Sequence, residues 1–330
     1  MTYSSGGLIQ ATDYNGFVNT NSGANINATW GTASAGAGYG QGNLNTVSAT
    51  DTVTATQWAT LNNTMTAAAN HQGTSITSRS NPTTGQTISV LSNINTDLTN
   101  LYNNRNNAYA VGSQYTGWTG TTSLNSGYGS GGSAWTATFT HTVTFASSTA
   151  LYTFFNCGGF IQMAFGKTST GTVADTEWNA FIGNGSGNGV VGYLRFTGAG
   201  TSKTIASTGY TGTTKFSGSG TPSGLATSTG VFNYTGSNTQ LYLQYDAGSA
   251  YSGNYVQVYA SISGSTITYT TYWHSTGDTN PGSTAQISGG SAPSGGSFGS
   301  APATLVTYYS PETTYITSQW GTPTIAATAG

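Results

Sequence analysis

The spacing of apolar residues changes from helical to strand-like along this chain, and that change constrains its fold more than any other feature. In two early stretches, apolar residues recur at steps of three and four: Trp58, Leu61, Met65 and Ala68, then Leu91, Ile94, Leu98 and Leu101. This spacing is typical of one helix face. From Trp135 to Phe145 apolar and polar residues alternate instead, as in a strand with one buried face. The chain is therefore predicted to be α+β, and mainly β.

The two helical stretches are predicted to form an antiparallel hairpin. Thr54 and Gln57 have the spacing of a capping box, and Gly73 offers a C-cap to the first helix. The second helix is predicted from Gln86 to Ala108. The hairpin core and oligomer contact would consist of Trp58, Leu61, Met65, Leu91, Ile94, Leu98 and Leu101. Such narrow stripes fit either a two-helix unit within one chain or an oligomer-forming bundle. We expect a homo-oligomer, with a trimer as the favoured state.

The second part of the chain is predicted to be an antiparallel β-sandwich, jelly-roll-like in form. Short apolar runs separated by Gly, Ser and Asn clusters are typical of such folds. The predicted strands are Trp135 to Phe145, Leu151 to Phe155, Phe160 to Phe165, Val190 to Phe196, Gln240 to Tyr245, Tyr255 to Ile262 and Thr266 to Trp273. One helix is predicted among them, over Asp175 to Ile182, with Asp175 as its cap.

These patterns divide the chain into four predicted segments. Residues 1–50 would be an N-terminal attachment arm, and residues 51–112 a two-helix oligomerisation segment. Residues 130–286 would form the β-sandwich domain, and residues 287–330 a Gly/Ser-rich strap with a C-terminal docking segment. The candidate attachment residues in the arm are its spaced aromatics, Tyr14, Phe17, Trp30 and Tyr39.

Charged residues are so scarce that several classes of function are disfavoured. Asp, Glu, Lys and Arg make up 4% of the 330 residues, against about 25% in an ordinary soluble domain. General acid–base catalysis, metal binding and phosphate binding all depend on these residue types. A net charge of −2 argues against nucleic acid as a partner. We expect no cofactor, no membrane insertion and no signal peptide, because no long apolar run is present.

Few residues are candidates for chemistry. Asp175 and Glu177 form the one close acidic pair, but positions i and i+2 of a helix point to different sides. His71, His141 and His274 are far apart in sequence, so no metal site is predicted, and the single Cys157 is expected to be buried and inert. Exposed Tyr and Trp with neighbouring amides can bind sugars. Residues 207–236 and the strand from Tyr251 to Tyr259 are therefore the candidate glycan-binding region.

Several combinations of uncommon residues resemble one known family. They are Ser5 to Phe17, Trp30-Gly-Thr, Gly38 to Gln41, Thr54 to Trp58, Ala69 to Gly73 and Tyr102 to Asn106, and more loosely Phe154 to Phe160, Asp175 to Asn179 and Trp320 to Ile325. This set is similar to virion structural proteins of tailed phages, especially marine and cyanobacterial ones. The resemblance implies a virion protein made in the host cytoplasm, and it supplies no catalytic residues.

The resemblance and the composition together predict a non-enzymatic tail fibre or tail-associated appendage. Its partners would be copies of itself, other virion proteins and, as a candidate receptor, host surface polysaccharide. Two alternatives remain open. One is a head-decorating or neck protein without a receptor role. The other is a depolymerase of capsule or lipopolysaccharide, which would need two carboxylates that folding brings together.

Overall fold

The fold was obtained as a computed structural model, and it describes most of the chain. The residues described are 10–21, 24–31, 33–84, 93–114, 121–124, 134–169, 173–248, 251–277 and 301–330. Within these ranges the protein contains helices and two large antiparallel sheets, so the predicted α+β, mainly β class is confirmed. Of the helices in the described ranges, none is long and apolar enough to cross a membrane.

The helices of the described residues lie mainly in the first third of the chain. They are α1 (Ala11–Asn15), followed by a π-helical turn (Gly16–Thr20), α2 (Ile26–Trp30), α3 (Ala55–Gln72), α4 (Ile94–Asn103), α5 (Ser148–Asn156) and α6 (Val173–Ile182). The predicted ends of α3 are confirmed. Thr54 and Gln57 form the capping box, and Gly73 adopts the left-handed conformation, with φ of 68°, that ends the helix.

The second helix is shorter than the predicted range from Gln86 to Ala108. The structure shows α4 over Ile94–Asn103, and residues 85–92 lie outside the described part. After Asn103 the chain turns, because a run of asparagines favours turns over helix. Ala108 instead forms a bridge to Ile205. Leu91, a predicted core residue, falls outside the described residues.

The strands come from the middle and the end of the chain. They are β1 (Val111–Gln114), β2 (Thr121–Ser123), β3 (Trp135–Thr144), β4 (Phe160–Gly166), β5 (Leu194–Phe196), β6 (Lys203–Ile205), β7 (Thr208–Tyr210), β8 (Thr213–Lys215), β9 (Gly224–Leu225), β10 (Thr239–Tyr245), β11 (Tyr255–Ser263), β12 (Thr266–Ser275), β13 (Ala303–Pro311) and β14 (Thr324–Ala329).

One predicted strand is wrong, because Leu151 to Phe155 lies within α5. The Ser147 side chain caps this helix by accepting a hydrogen bond from the Ala150 amide, at 3.1 Å. A short, largely apolar run looks the same in a buried strand and a buried helix. Here the Ser147 cap favours the helix.

The first sheet, named sheet I, has the strand order β1-β13-β4-β5-β8, and β2 also pairs with β13. Strand β13 lies between β1 and β4, although it comes from the segment predicted as a strap and docking segment. The second sheet, sheet II, has the order β14-β3-β12-β11-β10-β9. Both sheets thus contain strands from outside residues 130–286. The sandwich therefore includes more of the chain than the segment predicted for it.

The two sheets face each other and share one core. Phe196 of sheet I stacks on Tyr269 of sheet II with ring centroids 4.7 Å apart. The Thr271 hydroxyl of sheet II contacts the Met163 sulfur of sheet I at 3.4 Å. A single cluster of buried apolar residues extends from Ala11 through the helices and both sheets to Trp320. The predicted segments therefore do not have separate cores, while the jelly-roll connectivity stays a prediction.

Candidate functional site

The outer face of sheet II carries a cluster of aromatic and amide side chains at one end. Along β3, β11 and β12, buried and more exposed residues alternate, so every second side chain points away from the core. The strand register places these side chains in neighbouring rows. We name the following set the aromatic–amide cluster: Thr136, Gln240, Tyr245, Tyr255, Gln257, Tyr259, Tyr272 and His274.

The first row of the cluster is held by ring stacking. The Tyr255 ring stacks on His274, with centroids 4.7 Å apart and ring planes 25° apart, and Tyr245 contacts Tyr255 edge-on at 5.4 Å. Thr136 Oγ1 lies 2.8 Å from His274 Nδ1, within hydrogen-bonding distance. These contacts fix three rings side by side on a rigid sheet.

The next rows combine further rings with amides. Tyr259 and Tyr272 meet edge-on, with centroids 5.9 Å apart. The Gln257 side-chain amide donates to Gln240 Oε1 at 2.7 Å. Together these residues border a shallow depression of about 310 Å³, lined by Thr136, Asn238, Tyr255, Gln257, Tyr259 and Tyr272.

The cluster is chemically suited to a neutral, hydroxyl-rich ligand. None of its members is Asp, Glu, Lys or Arg, so it offers no permanently charged side chain to pair with a phosphate, sulfate or carboxylate. Tyrosine rings present flat apolar surface with a polar edge, and glutamine and asparagine both donate and accept hydrogen bonds. The volume is at the lower end of the ~300–1,000 Å³ typical of small-ligand sites. The arrangement therefore suits a short stretch of oligosaccharide.

The sequence predicted part of the aromatic–amide cluster. Tyr255 and Tyr259 belong to the candidate glycan-binding region and do lie in the cluster, whereas Tyr251, Tyr210 and Tyr234 are buried. Sequence reasoning missed Tyr272 and His274. Their signal was the alternation within β12, which marks them as outward-facing, but only the pairing with β11 shows that they lie beside Tyr255.

The acidic pair singled out in the sequence does not form a site. Asp175 lies in the first turn of α6 and not at its cap, and its carboxylate accepts a hydrogen bond from Lys167 Nζ at 2.7 Å. Both side chains are fully buried. Burial lowers the pKa of Lys167 more than the contact with Asp175 raises it. This ion pair joins α6 to the end of β4, which is a structural role.

Glu177 instead lies near a second carboxylate, that of Asp246. A Cβ placed on Gly248 would lie 3.4 Å from Asp246 Oδ1 and 3.6 Å from Glu177 Oε2, so the two carboxylate oxygens lie near the same point. Burial raises the pKa of the Asp246 carboxyl, against hydrogen bonds from the backbone amides of Gly248 and Ala247. Folding has therefore brought two of the scattered carboxylates together.

His71 and Cys157 are both buried in the protein. His71 Nδ1 lies 2.7 Å from Glu312 Oε1, and both residues are buried. Burial by itself would raise the pKa of Glu312, but hydrogen bonds from His71 and the Thr314 amide bring it below the ordinary value. Cys157 is buried, as predicted, and burial raises its pKa. In the described ranges, no group of three or more His, Cys, Asp or Glu side chains is placed to hold a metal ion.

The predicted helix-core residues are buried within a single chain. Trp58, Leu61, Met65, Ile94, Leu98 and Leu101 are each at most 1% exposed. Of the two possibilities for the helical stripes, this arrangement matches the two-helix unit within one chain. The stripes therefore no longer support an oligomer, and the homo-oligomer and trimer stay predictions.

The aromatics predicted to attach the chain to a particle belong mostly to its own core. Tyr14 and Phe17 contact Trp58 of α3, with ring centroids 5.7 and 5.9 Å away. Tyr39 packs edge-on against His71 at 4.9 Å. Trp30 is half-buried and lines a groove of about 490 Å³ beside α3. Of these four residues, Trp30 is the one with side-chain surface left for a partner, and particle attachment stays a prediction.

Comparison of this chain with protein-family models, with curated proteins and with solved structures gave no match. Its function is therefore inferred from its own residues and their geometry.

Proposed function

We propose that this chain is a non-enzymatic structural protein of a tailed-phage virion, a tail fibre or tail-associated protein, and that the aromatic–amide cluster binds neutral glycans of the host surface. The observation that carries the glycan-binding role is the grouping of four tyrosines, a histidine and two glutamines on one exposed sheet face. The virion role is supported by the family resemblance of the sequence motifs and by the scarcity of charge.

The aromatic–amide cluster is preorganised for binding. Its rings stand on paired strands and contact one another, so little side-chain freedom remains to be lost when a ligand binds. A weak single site of this kind suits a virion, because many copies on one particle raise the overall avidity.

The test is glycan binding by the intact protein and by two variants. A glycan array carrying neutral and acidic bacterial polysaccharides identifies the ligand class, and isothermal titration then measures the affinity for the best array ligand. We expect neutral glycans to bind. Tyr255→Ala and Tyr272→Ala should each lower affinity about two- to tenfold, from the ~0.5–1.5 kcal/mol of an aromatic contact.

Thr142→Ala is the matched control, since Thr142 lies on the same face of β3 but opposite Thr268, away from the cluster. Its affinity should equal that of the wild type. Binding confined to acidic glycans, or equal losses in all three variants, would refute the proposed site.

A second candidate function is glycan hydrolysis, which is favoured by the approach of Asp246 and Glu177 to Gly248. A carboxyl with raised pKa beside a second carboxylate is the pairing that glycoside hydrolases use. The test is release of oligosaccharide from the array-selected polysaccharide, compared with Glu177→Gln and Asp246→Asn. Release that both variants abolish would establish the enzyme. Absence of release by the wild type would leave glycan binding alone.

A further inference from the structure

The outer edge of sheet II is formed by β14, whose backbone groups face outward at alternate residues. Gly330 and Thr138 exchange both of their backbone hydrogen bonds, at 2.8 and 2.9 Å. Because such pairs alternate in an antiparallel ladder, Thr328, Ala326 and Thr324 also bond to β3 in the observed register. The N–H and C=O groups of Ile325, Ala327 and Ala329 therefore point away from β3.

This edge lacks the features that usually prevent strands from pairing with other chains. Exposed edges are commonly protected by Lys, by Pro within the strand, or by a bulge. The sequence of β14, TIAATA, has no charge and no proline, and its register with β3 is unbroken over six residues. Among the described residues, no strand pairs with the outer side of β14.

The edge is also complementary to itself. In an antiparallel pairing, outward-facing residues bond to outward-facing residues. Placing Ala327 opposite Ala327 of a second copy puts Ile325 opposite Ala329 of that copy, and the reverse. All three pairs would exchange both hydrogen bonds. The facing side chains are uncharged and, apart from Ile325, small, so charge repulsion between the two strands does not oppose the contact.

We infer that β14 pairs antiparallel with β14 of a second copy of this chain, so that the two sheets II become one continuous sheet. The contact is two-fold and isologous, so it produces a dimer and not the trimer predicted from the helical stripes. Its axis is perpendicular to the sheet, so both aromatic–amide clusters face the same side. The pairing does not depend on the proposed glycan binding.

Amide hydrogen exchange of the intact wild-type protein tests this pairing without any substitution. Thr324, Ala326 and Thr328 are bonded to β3 in either case, so their amides are the internal control. If the pair forms, Ile325, Ala327 and Ala329 should exchange about tenfold slower or more at high protein concentration than at low. Exchange of these three amides at the rate of exposed amides at every concentration would overturn the inference.

The mass in solution, measured by light scattering, provides a second readout. We expect two chains for the wild type at micromolar concentration and one chain for Ala327→Pro, because proline there removes an outward donor and spares the bonds to β3. Thr328→Lys should also halve the mass, whereas Thr322→Lys, at a site that is also exposed but lies outside the strand, should leave it unchanged. A wild-type mass of one chain, or of three, would contradict the pairing.

Discussion

Lys203 is the residue whose replacement should change stability most informatively. It lies in β6 with 3% of its surface exposed. Burial lowers its pKa from the ordinary 10.5 to about 7, and the nearby Cys157 opposes the shift only in part. The folded protein therefore binds this proton less readily than the unfolded chain does. Between pH 7 and 10.5 the unfolded chain holds more protons, so the contribution of Lys203 to stability rises with pH.

The size of the effect follows from those two pKa values. Below pH 7 the buried lysine costs about 5 kcal/mol of folding free energy, and the cost falls to about 3 kcal/mol at pH 8 and about 1 kcal/mol at pH 9.5. Above pH 10.5 it disappears. Lys203→Met keeps the length of the side chain and removes the charge, so the variant should be more stable than the wild type by these amounts.

Urea denaturation of both proteins at several pH values measures this difference directly. Taking the difference cancels the other titrating groups, which are common to the two proteins. Lys215→Met is a comparison variant for the sign of the effect. Lys215 Nζ donates to the carbonyl oxygens of Val190, at 2.7 Å, and Gly220, so its loss should destabilise the fold. A Lys203→Met difference that is independent of pH would show that folding does not lower the pKa of Lys203.

Two further substitutions test the core and the buried ion pair. Leu98→Ala should lower the free energy of unfolding by about 2–5 kcal/mol, because Leu98 is fully buried between α4 and the rest of the core; a loss below 1 kcal/mol in urea denaturation would contradict that placement. Asp175→Asn should cost about 3–5 kcal/mol, because it leaves the buried Lys167 without its carboxylate. Addition of Lys167→Met to that variant should recover most of the loss, and failure to recover would show that Asp175 acts mainly through other contacts.

The elements predicted most accurately were those whose ends carry a local signal. The capping box at Thr54 and the glycine at 73 fixed α3 to within a residue at each end. Strict alternation fixed β3 in the same way. Leu151 to Phe155 failed because a short run in which four of five residues are apolar or aromatic has no clear period, and the cap at Ser147 was the only indication of a helix.

The sequence predicts which residues of a single strand face outward, but not which strands lie side by side at the site. Alternation in β11 marks Tyr255 and Tyr259 as facing outward, but the partner strand and its register depend on the whole sandwich. Tyr272 and His274 join the cluster because β12 pairs with β11 in one particular register. A slip of one residue would turn those side chains into the core. The approach of Glu177 to Asp246 likewise depends on tertiary packing and has no local sequence signal.

The shared core also decides which experiments are meaningful. Helices α1 to α4 pack against residues that extend as far as Trp320, so a truncated chain ending near residue 129 would expose much of this core to water. Tests of adsorption therefore need the full chain with surface substitutions in the cluster.

Cryo-electron microscopy of the parent particle tests the proposal that this chain is a virion protein with an outward-facing glycan-binding surface. We expect density for this chain in the tail or a tail appendage, with Tyr255 and Tyr272 facing solvent. Density on the head or neck with the cluster covered by another protein would contradict the receptor role. Absence of the chain from purified particles, measured by mass spectrometry of the same sample, would contradict the virion role itself.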